Sequence, residues 1–268
     1  MAVLISGATK ILTLIGDPIS QARSPAMANV MLEQQGRLGE YVLVPLHVQA
    51  SDLAQTLVSL RNTQNFYGAI VTMPHKSVAL SLLDEVTADA QCVGAVNVIR
   101  RTQDGKLVGT IMDGEGFVGG LKNAGHAVAE KNCLLIGAGG AASAIAFALV
   151  KHGCASLDIV NRTHEKAQAL CDRLQRQLPN GNIAVPQQAN KSYDIVINGT
   201  SLGMKEGDPL PVADNIVDKA TLVAECVIAP EMTPLLQLAQ QRGCAIHTGV
   251  PMLEAQMAMM LEFMGVGR

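Results

Sequence analysis

Residues 134–150 read LLIGAGGAASAIAFALV. An apolar strand-like run gives way to a glycine turn, and the turn to an alanine-rich helical run. Gly137, Gly139 and Ala142 occupy the positions of the pattern G-x-G-x-x-G/A. Gly137 permits the tight turn, Gly139 lets backbone N–H groups approach a pyrophosphate, and Ala142 allows helix and strand to pack closely. The helix N-terminus then offers its partial positive charge to phosphate. With a strand before the turn and a helix after it, the stretch predicts a dinucleotide-binding βαβ unit.

The same rhythm extends on either side. CLLIG (133–137), LDIVN (157–161), DIVIN (194–198) and TLVAECV (221–227) are short β-rich runs with helical segments among them. Such alternation builds a parallel sheet from right-handed βαβ units. Upstream, KILTLIG (10–16), YVLVPLHV (41–48) and GAIVTM (68–73) are strand candidates. Helices are expected near 25–36 and 51–61, and SVALSLLDEV (77–86) is expected to form a third. VNVIRR (96–101) and KLVGTI (106–111) flank Gln103-Asp104-Gly105 as a hairpin. The last segment, PMLEAQMAMMLEFMG, has helical spacing, with Pro251 just inside its start and methionines serving as core filler.

The expected fold class is α/β, with two domains. Residues 1–112 form a discontinuous α/β substrate domain that is completed by a C-terminal helix, 247–268. Residues 113–246 form a doubly wound, Rossmann-type parallel sheet that binds the dinucleotide.

Composition narrows the function classes. The chain of 268 residues is 49% hydrophobic, 16% charged and only 3% aromatic, with no Trp. Buried parallel sheets have this character, whereas base-stacking or sugar-stacking surfaces need more rings. A net charge of −3 without a basic run recommends neither nucleic acid nor a membrane as partner. The expected partner is a small-molecule substrate, and the expected assembly is a monomer or homodimer. The first residues lack the features of a signal peptide, and the scattered cysteines have no C-x-x-C spacing, so a cytoplasmic location with reduced thiols is expected. The histidines form no metal-ligand pattern.

Several polar positions have both a structural and a functional reading. Ser24-Pro25 fits a helix N-cap followed by the first helical residue, while a hydroxyl at a helix start can also hold a carboxylate. Asp113, in Asp113-Gly114-x-Gly116, is a helix N-cap or a site carboxylate. Lys76 follows VTMPH at a strand end, where a solvated surface charge is the ordinary reading. Asn97 interrupts an apolar run and needs a buried partner or a cleft. The loop 198–204, with Thr200, Ser201, Gly203 and Met204, follows a strand of the second sheet, where ligand crevices form. Asn161, Arg162 and Thr163 end the strand at which the ribose is read. Arg162 and Lys166 could pair with a 2′-phosphate and favour NADP, Glu165 opposes this, and NAD stays open.

Taken in order, these segments resemble the shikimate dehydrogenase family over nearly the whole chain. The carriers are GDPISQARSP (16–25), VTMPHK (71–76), GAVN (94–97), DGEG (113–116), GAGGA (137–141), NRT (161–163), NGTSLGM (198–204), TPLL (233–236) and MLEAQ (252–256). The resemblance implies an NAD(P)-dependent alcohol dehydrogenase of aromatic amino acid biosynthesis, acting on shikimate, quinate or a related cyclic hydroxy acid. It implies Lys76 as catalytic acid/base paired with Asp113 across a cleft, and Ser24, Thr72, Asn97 and Gln256 as substrate contacts. It adds Ala138, Gly140 and Ala141 to the cofactor turn. The chain departs from the family pattern at Ala22, Ile70, Met112, Ile228 and Pro251, four of these being polar-to-apolar exchanges. They point to a less polar substrate, or, as the alternative, to a cofactor-binding sensor without turnover.

Overall fold

In the computed structural model, which describes residues 5–187, 189 and 191–267, the chain divides into two units. One runs to Met112 and resumes at Met257; the other is Asp113–Gln256. Residues 1–4 and 268, within the expected substrate domain, lie outside the described residues.

In the first unit, β1 (Lys10–Gly16), α1 (Ser24–Gln34), β2 (Tyr41–His47), α2 (Leu53–Asn62) and β3 (Phe66–Val71) alternate. There follow α3 (Lys76–Ala79), β4 (Glu85–Val86), α4 (Ala88–Val93), β5 (Val98–Arg101) and β6 (Leu107–Thr110). The sheet order is β2-β1-β3-β5-β6-β4. Strands β2, β1 and β3 are parallel, but β5 runs antiparallel to both β3 and β6. The sheet is therefore mixed, because the tight turn after Arg101, with Gly105 at φ +83°, returns the chain directly.

The helix expected over 77–86 forms only in its first residues, as the end of α3. α3 ends at Ala79, and a 3₁₀ turn, Leu80–Leu82, leads to an extended Leu83. Asp84 accepts hydrogen bonds from Leu107 N (2.7 Å) and Arg61 (2.9 Å), and Glu85 pairs with Lys106 while joining β6. Sheet edge and ion pairs together outweigh local helix propensity.

The second unit contains α5 (Asp113–Asn123), β7 (Asn132–Ile136), α6 (Gly140–Lys151), β8 (Ser156–Val160), α7 (His164–Gln177) and β9 (Ile183–Ala184). It continues with β10 (Tyr193–Asn198), α8 (Asp214–Val217), β11 (Ala220–Glu225), α9 (Pro234–Gln241), β12 (Ala245–His247) and the start of α10 (Val250–Phe263). Its sheet is wholly parallel, in the order β12-β11-β10-β7-β8-β9. Strand order thus reverses between β7 and β10, as in a doubly wound sheet.

The near-continuous apolar strands follow from burial on both faces. Along β7, Cys133 and Leu135 enter the cluster beneath α5, α6 and α7, while Leu134 and Ile136 enter the one beneath α8 and α9. Along α10, Met252, Met257 and Met260 are buried, as is Met264 just beyond its end. The change of unit falls within this helix, after Gln256, rather than before it at 246/247. Its first turns pack on α5 of the second unit, and Met264 fills the space above Gly68 of the first.

A Cβ on Gly114 would collide with the carbonyl oxygen of Ala144 and lie 2.8 Å from Ala148 Cβ, so α5 and α6 touch through backbone there. On the same helix, a Cβ on Gly119 meets only Ala255 Cβ, at 3.3 Å. Gly114→Ala is expected to lower stability by about 3 kcal/mol in urea unfolding, and Gly119→Ala to change it by less than about 1 kcal/mol.

His247 ends β12 at 4% exposure, its Nε2 without a hydrogen-bond partner among the described residues, and the rings of Phe117 and His126 lie edge-on to it. Burial, and then the neighbouring His126, lower its pKa from 6.5 to about 4. The unfolded chain therefore takes up this proton first. The contribution to stability is complete above about pH 6.5 and is lost as pH falls towards 4. Between about pH 7 and pH 5, the native chain should lose about 2 kcal/mol more unfolding free energy than His247→Leu.

Candidate active site

In the second unit the glycine turn sits at the reversal of strand order. Gly137, at φ +117°, is reached directly from β7, and its N–H donates to Val160 O at 2.8 Å. A Cβ there would lie 3.0 Å from Gly199 O, and a Cβ on Gly199 would lie 2.9 Å from Ala142 Cβ. The loops after β7 and β10 are thereby pressed together, backbone against backbone. Gly139 is the exception: nothing lies within 4 Å of the Cβ position there, immediately before α6. An open face at a helix N-terminus suits a pyrophosphate, which needs close backbone approach. Ala138, Gly140 and Ala141 complete this turn.

The other residues expected at the cofactor stand around it on carboxyl-end loops. Asn161 follows β8 and donates from Nδ2 to Thr163 O at 2.8 Å, which curls the segment Asn161-Arg162-Thr163 into α7. Arg162 and Lys166 are both exposed. After β10, Thr200 does not present its hydroxyl outward. Its Oγ1 donates to Asn198 Oδ1 (2.7 Å) and accepts from Leu202 N (3.0 Å). Asp208 accepts from the backbone N–H groups of Gly203 and Lys205, and Met204 N donates to Ser201 O. The loop is thus held by its own polar groups.

Asp113 opens α5 and is 3% exposed. Gln256, also buried, packs against Gly116, one turn along α5 from Asp113.

In the first unit, the loops after β1 and β3 are stitched together. Thr72 N donates to Ile15 O (2.9 Å) and Asp17 N to Met73 O (3.0 Å), beside cis peptides at Asp17–Pro18 and Met73–Pro74. His75 is buried, and its Nε2 donates to Val48 O at 2.7 Å. Because a carbonyl can only accept, this nitrogen carries the proton. Lys76, half-buried, opens α3 and accepts at its carbonyl from Val96 N (2.9 Å). Asn97 is bonded through its backbone to Val71 and Thr110, and its Oδ1 accepts from Met112 N at 2.8 Å, which fixes the orientation of the amide.

Ser24 is the first residue of α1 rather than its cap. Arg23 precedes it in helical conformation, and no side chain caps the helix. Ser24, Thr72, Lys76 and Asn97 belong to the first unit, and Asp113, Gln256 and all the cofactor candidates to the second.

Sequence reasoning passed over Glu225 and the side chain of Asn198. Both are wholly buried, and Asn198 Nδ2 donates to both oxygens of Glu225. The signal was a carboxylate in the otherwise apolar run TLVAECV, since a buried acid requires partners.

Comparison with known proteins identifies the scaffold. Residues 14–99 match the model of the shikimate dehydrogenase substrate binding domain, and residues 121–204 that of shikimate / quinate 5-dehydrogenase. The shikimate dehydrogenase (NADP(+)) of Lysinibacillus sphaericus is 39% identical over 93% of this chain and 90% of its own length. The crystal structure of shikimate 5-dehydrogenase from Thermus thermophilus, in complex with NADP(H) and shikimate, superposes with a TM-score of 0.86 at 29% identity, covering 96% of this chain and 94% of that one. The 5-ketofructose reductase of a Gluconobacter strain superposes with a TM-score of 0.85 at 29% identity, covering 98% and 95%. The order of motifs, the doubly wound sheet with its open glycine turn and these matches have one reading: the chain belongs to the shikimate dehydrogenase family of oxidoreductases.

Proposed function

We propose that the protein is an NADP-dependent dehydrogenase that interconverts a ring alcohol bearing a carboxylate with its ketone. The observation that carries this reading is the open turn at Gly139, set before the N-terminus of α6 where the strand order reverses. Gly137, Ala138, Gly139, Gly140 and Ala141 would hold the pyrophosphate, with Asn161 and Thr163 at the ribose and the loop Thr200–Met204 along the nicotinamide side. Arg162 and Lys166, exposed cations after β8, would pair with a 2′-phosphate and so favour NADP over NAD. The NADP(+) named in the Lysinibacillus relative supports the same choice.

When bound, the nicotinamide supplies a hydride acceptor. As hydride leaves the carbinol carbon, its hydroxyl proton must leave too, and Lys76 Nζ would take it. In the reverse direction Lys76 returns the proton to the carbonyl oxygen. Asp113 would orient Lys76 and accept from a neighbouring substrate hydroxyl. Thr72, Asn97 and Gln256 would hold the ring hydroxyls, and Ser24, whose side chain caps no helix, would hold the carboxylate.

The departures from the family pattern shape the substrate. With Ala22 in place of a serine, one hydroxyl fewer meets the carboxylate; Ile70, Met112 and Ile228 likewise offer no hydrogen bond. Each lost contact costs about 1–3 kcal/mol, roughly tenfold to a hundredfold in binding. The substrate preference is therefore shifted towards a less polar relative of shikimate or quinate. The similarity to a 5-ketofructose reductase supports a scaffold that accepts more than one polyol.

Turnover of a panel of cyclic hydroxy acids, followed through the absorbance of reduced nicotinamide with each cofactor, tests the reading. The wild type should oxidise at least one member, faster with NADP than with NAD. Lys76→Ala should lower kcat by about a hundredfold or more while cofactor affinity stays unchanged; equal turnover by the two would remove Lys76 from the mechanism. Gly139→Val should leave the melting temperature within a degree or so and weaken NADPH binding by about tenfold or more, because its side chain would point into open space in the fold and into the pyrophosphate in the complex.

A further inference from the structure

Glu225 closes β11 at 0% exposure, and its carboxylate accepts hydrogen bonds from Asn198, Thr233 and Val227. Asn198 Nδ2 donates to Oε1 and Oε2 at 3.1 and 3.0 Å. Thr233 Oγ1 donates to Oε1 at 2.7 Å, and Val227 N donates to Oε2 at 3.3 Å. The network continues outward in two directions. Asn198 also donates to Leu202 O (3.0 Å), while its Oδ1 accepts from the backbone N–H and the hydroxyl of Thr200. Thr233 accepts from Leu236 N with the same oxygen and thereby caps α9. One carboxylate thus joins the loop after β10 to the loop after β11, both at the carboxyl edge of the parallel sheet.

We propose that Glu225 is a positioning residue for the cofactor, acting through Asn198 on the loop Thr200–Met204 and through Thr233 on the segment between β11 and α9. The inference rests on the assignment of Thr200–Met204 to cofactor binding made above. Its physical basis is the requirement for an acceptor. Asn198, with Oδ1 occupied by Thr200, can turn only its N–H groups towards β11. Thr233, whose oxygen accepts from Leu236, has its O–H to donate. Two donors from two loops converge on Oε1, and Oε2 accepts from Asn198 and Val227 N beside it. Burial, the larger effect, raises the pKa of Glu225 above the ordinary carboxylate range, and its hydrogen bonds with Asn198 and Thr233 oppose that rise. With these bonds made, Glu225 faces the two loops rather than a ligand, and its effect on binding passes through the loop backbone.

The test compares wild type, Glu225→Ala, Glu225→Gln and Thr233→Val in the full chain. NADPH dissociation constants are taken from nicotinamide fluorescence, substrate KM and kcat at saturating NADP, and unfolding midpoints in parallel. Glu225→Ala should raise the NADPH dissociation constant by about tenfold or more and leave substrate KM at saturating cofactor within about twofold. Glu225→Gln, which keeps an acceptor for Asn198 but sets an N–H₂ against another donor, should fall between wild type and Glu225→Ala. Thr233→Val cuts one arm alone and should raise the constant by about threefold; it decides the matter if Glu225→Ala does not fold. Wild-type affinity in the variants would overturn the inference. So would a proportional loss of cofactor affinity, substrate KM and stability, which is what a purely structural acid would cause. A wild type that binds no NADPH would instead overturn the assignment of the cofactor loops themselves.

Discussion

At the centre of the second unit two backbone segments come closer than any side chain allows. The carbonyl of Gly199 stands where Gly137 would carry a Cβ, and Ala142 stands where Gly199 would carry one. This three-way approach requires β7 and β10 to be neighbours, which in a doubly wound sheet makes them the pair at which the strand order reverses. It also turns the loops after both strands outward at one level, and it leaves Gly139 as the position with open space before the helix. The rest of the unit supports that arrangement. Helices on both faces bury the alternating residues of β7, β10 and β11.

The first unit solves the same problem with different means. Its parallel strands β2, β1 and β3 also end together, but their loops are fixed by hydrogen bonds between one loop and the next rather than by glycine contact alone. Thr72 is tied to Ile15, Asp17 to Met73, His75 to Val48 and Lys76 to Val96. The main chain around Lys76 is therefore anchored on both sides, which suits the acid/base role proposed for its amine. His47, at the end of β2, approaches Asp17 at 2.6 Å and adds a further link between neighbouring strand ends.

The sequence carried most of the second unit's layout, because its strands are buried on both faces and read as continuous apolar runs bounded by turns. The first sheet was harder. Strand β4 has two residues, and it exists because Asp84 and Glu85 find partners on β6 and α2, far away along the chain. No local periodicity records such pairings, so SVALSLLDEV read as helix. The short β9 and β12 escaped for the same reason. Motif-bearing loops were legible where chemistry demands a residue type, as at Gly137 and Gly139. They were not legible where a side chain works on its neighbours: the hydroxyl of Thr200 turns inward to Asn198, and Glu225, hidden in an apolar strand, organises both.

The terminal helix α10 has a consequence for biosynthesis. Its opening turns complete the second unit, whereas Met264 settles over Gly68 and Gly265 O accepts from the Tyr41 hydroxyl, both in the first. A ribosome therefore releases the residues up to Met112 long before their final packing partners have been translated. The packing of the residues up to Met112 is complete only with Met264 and Gly265 in place.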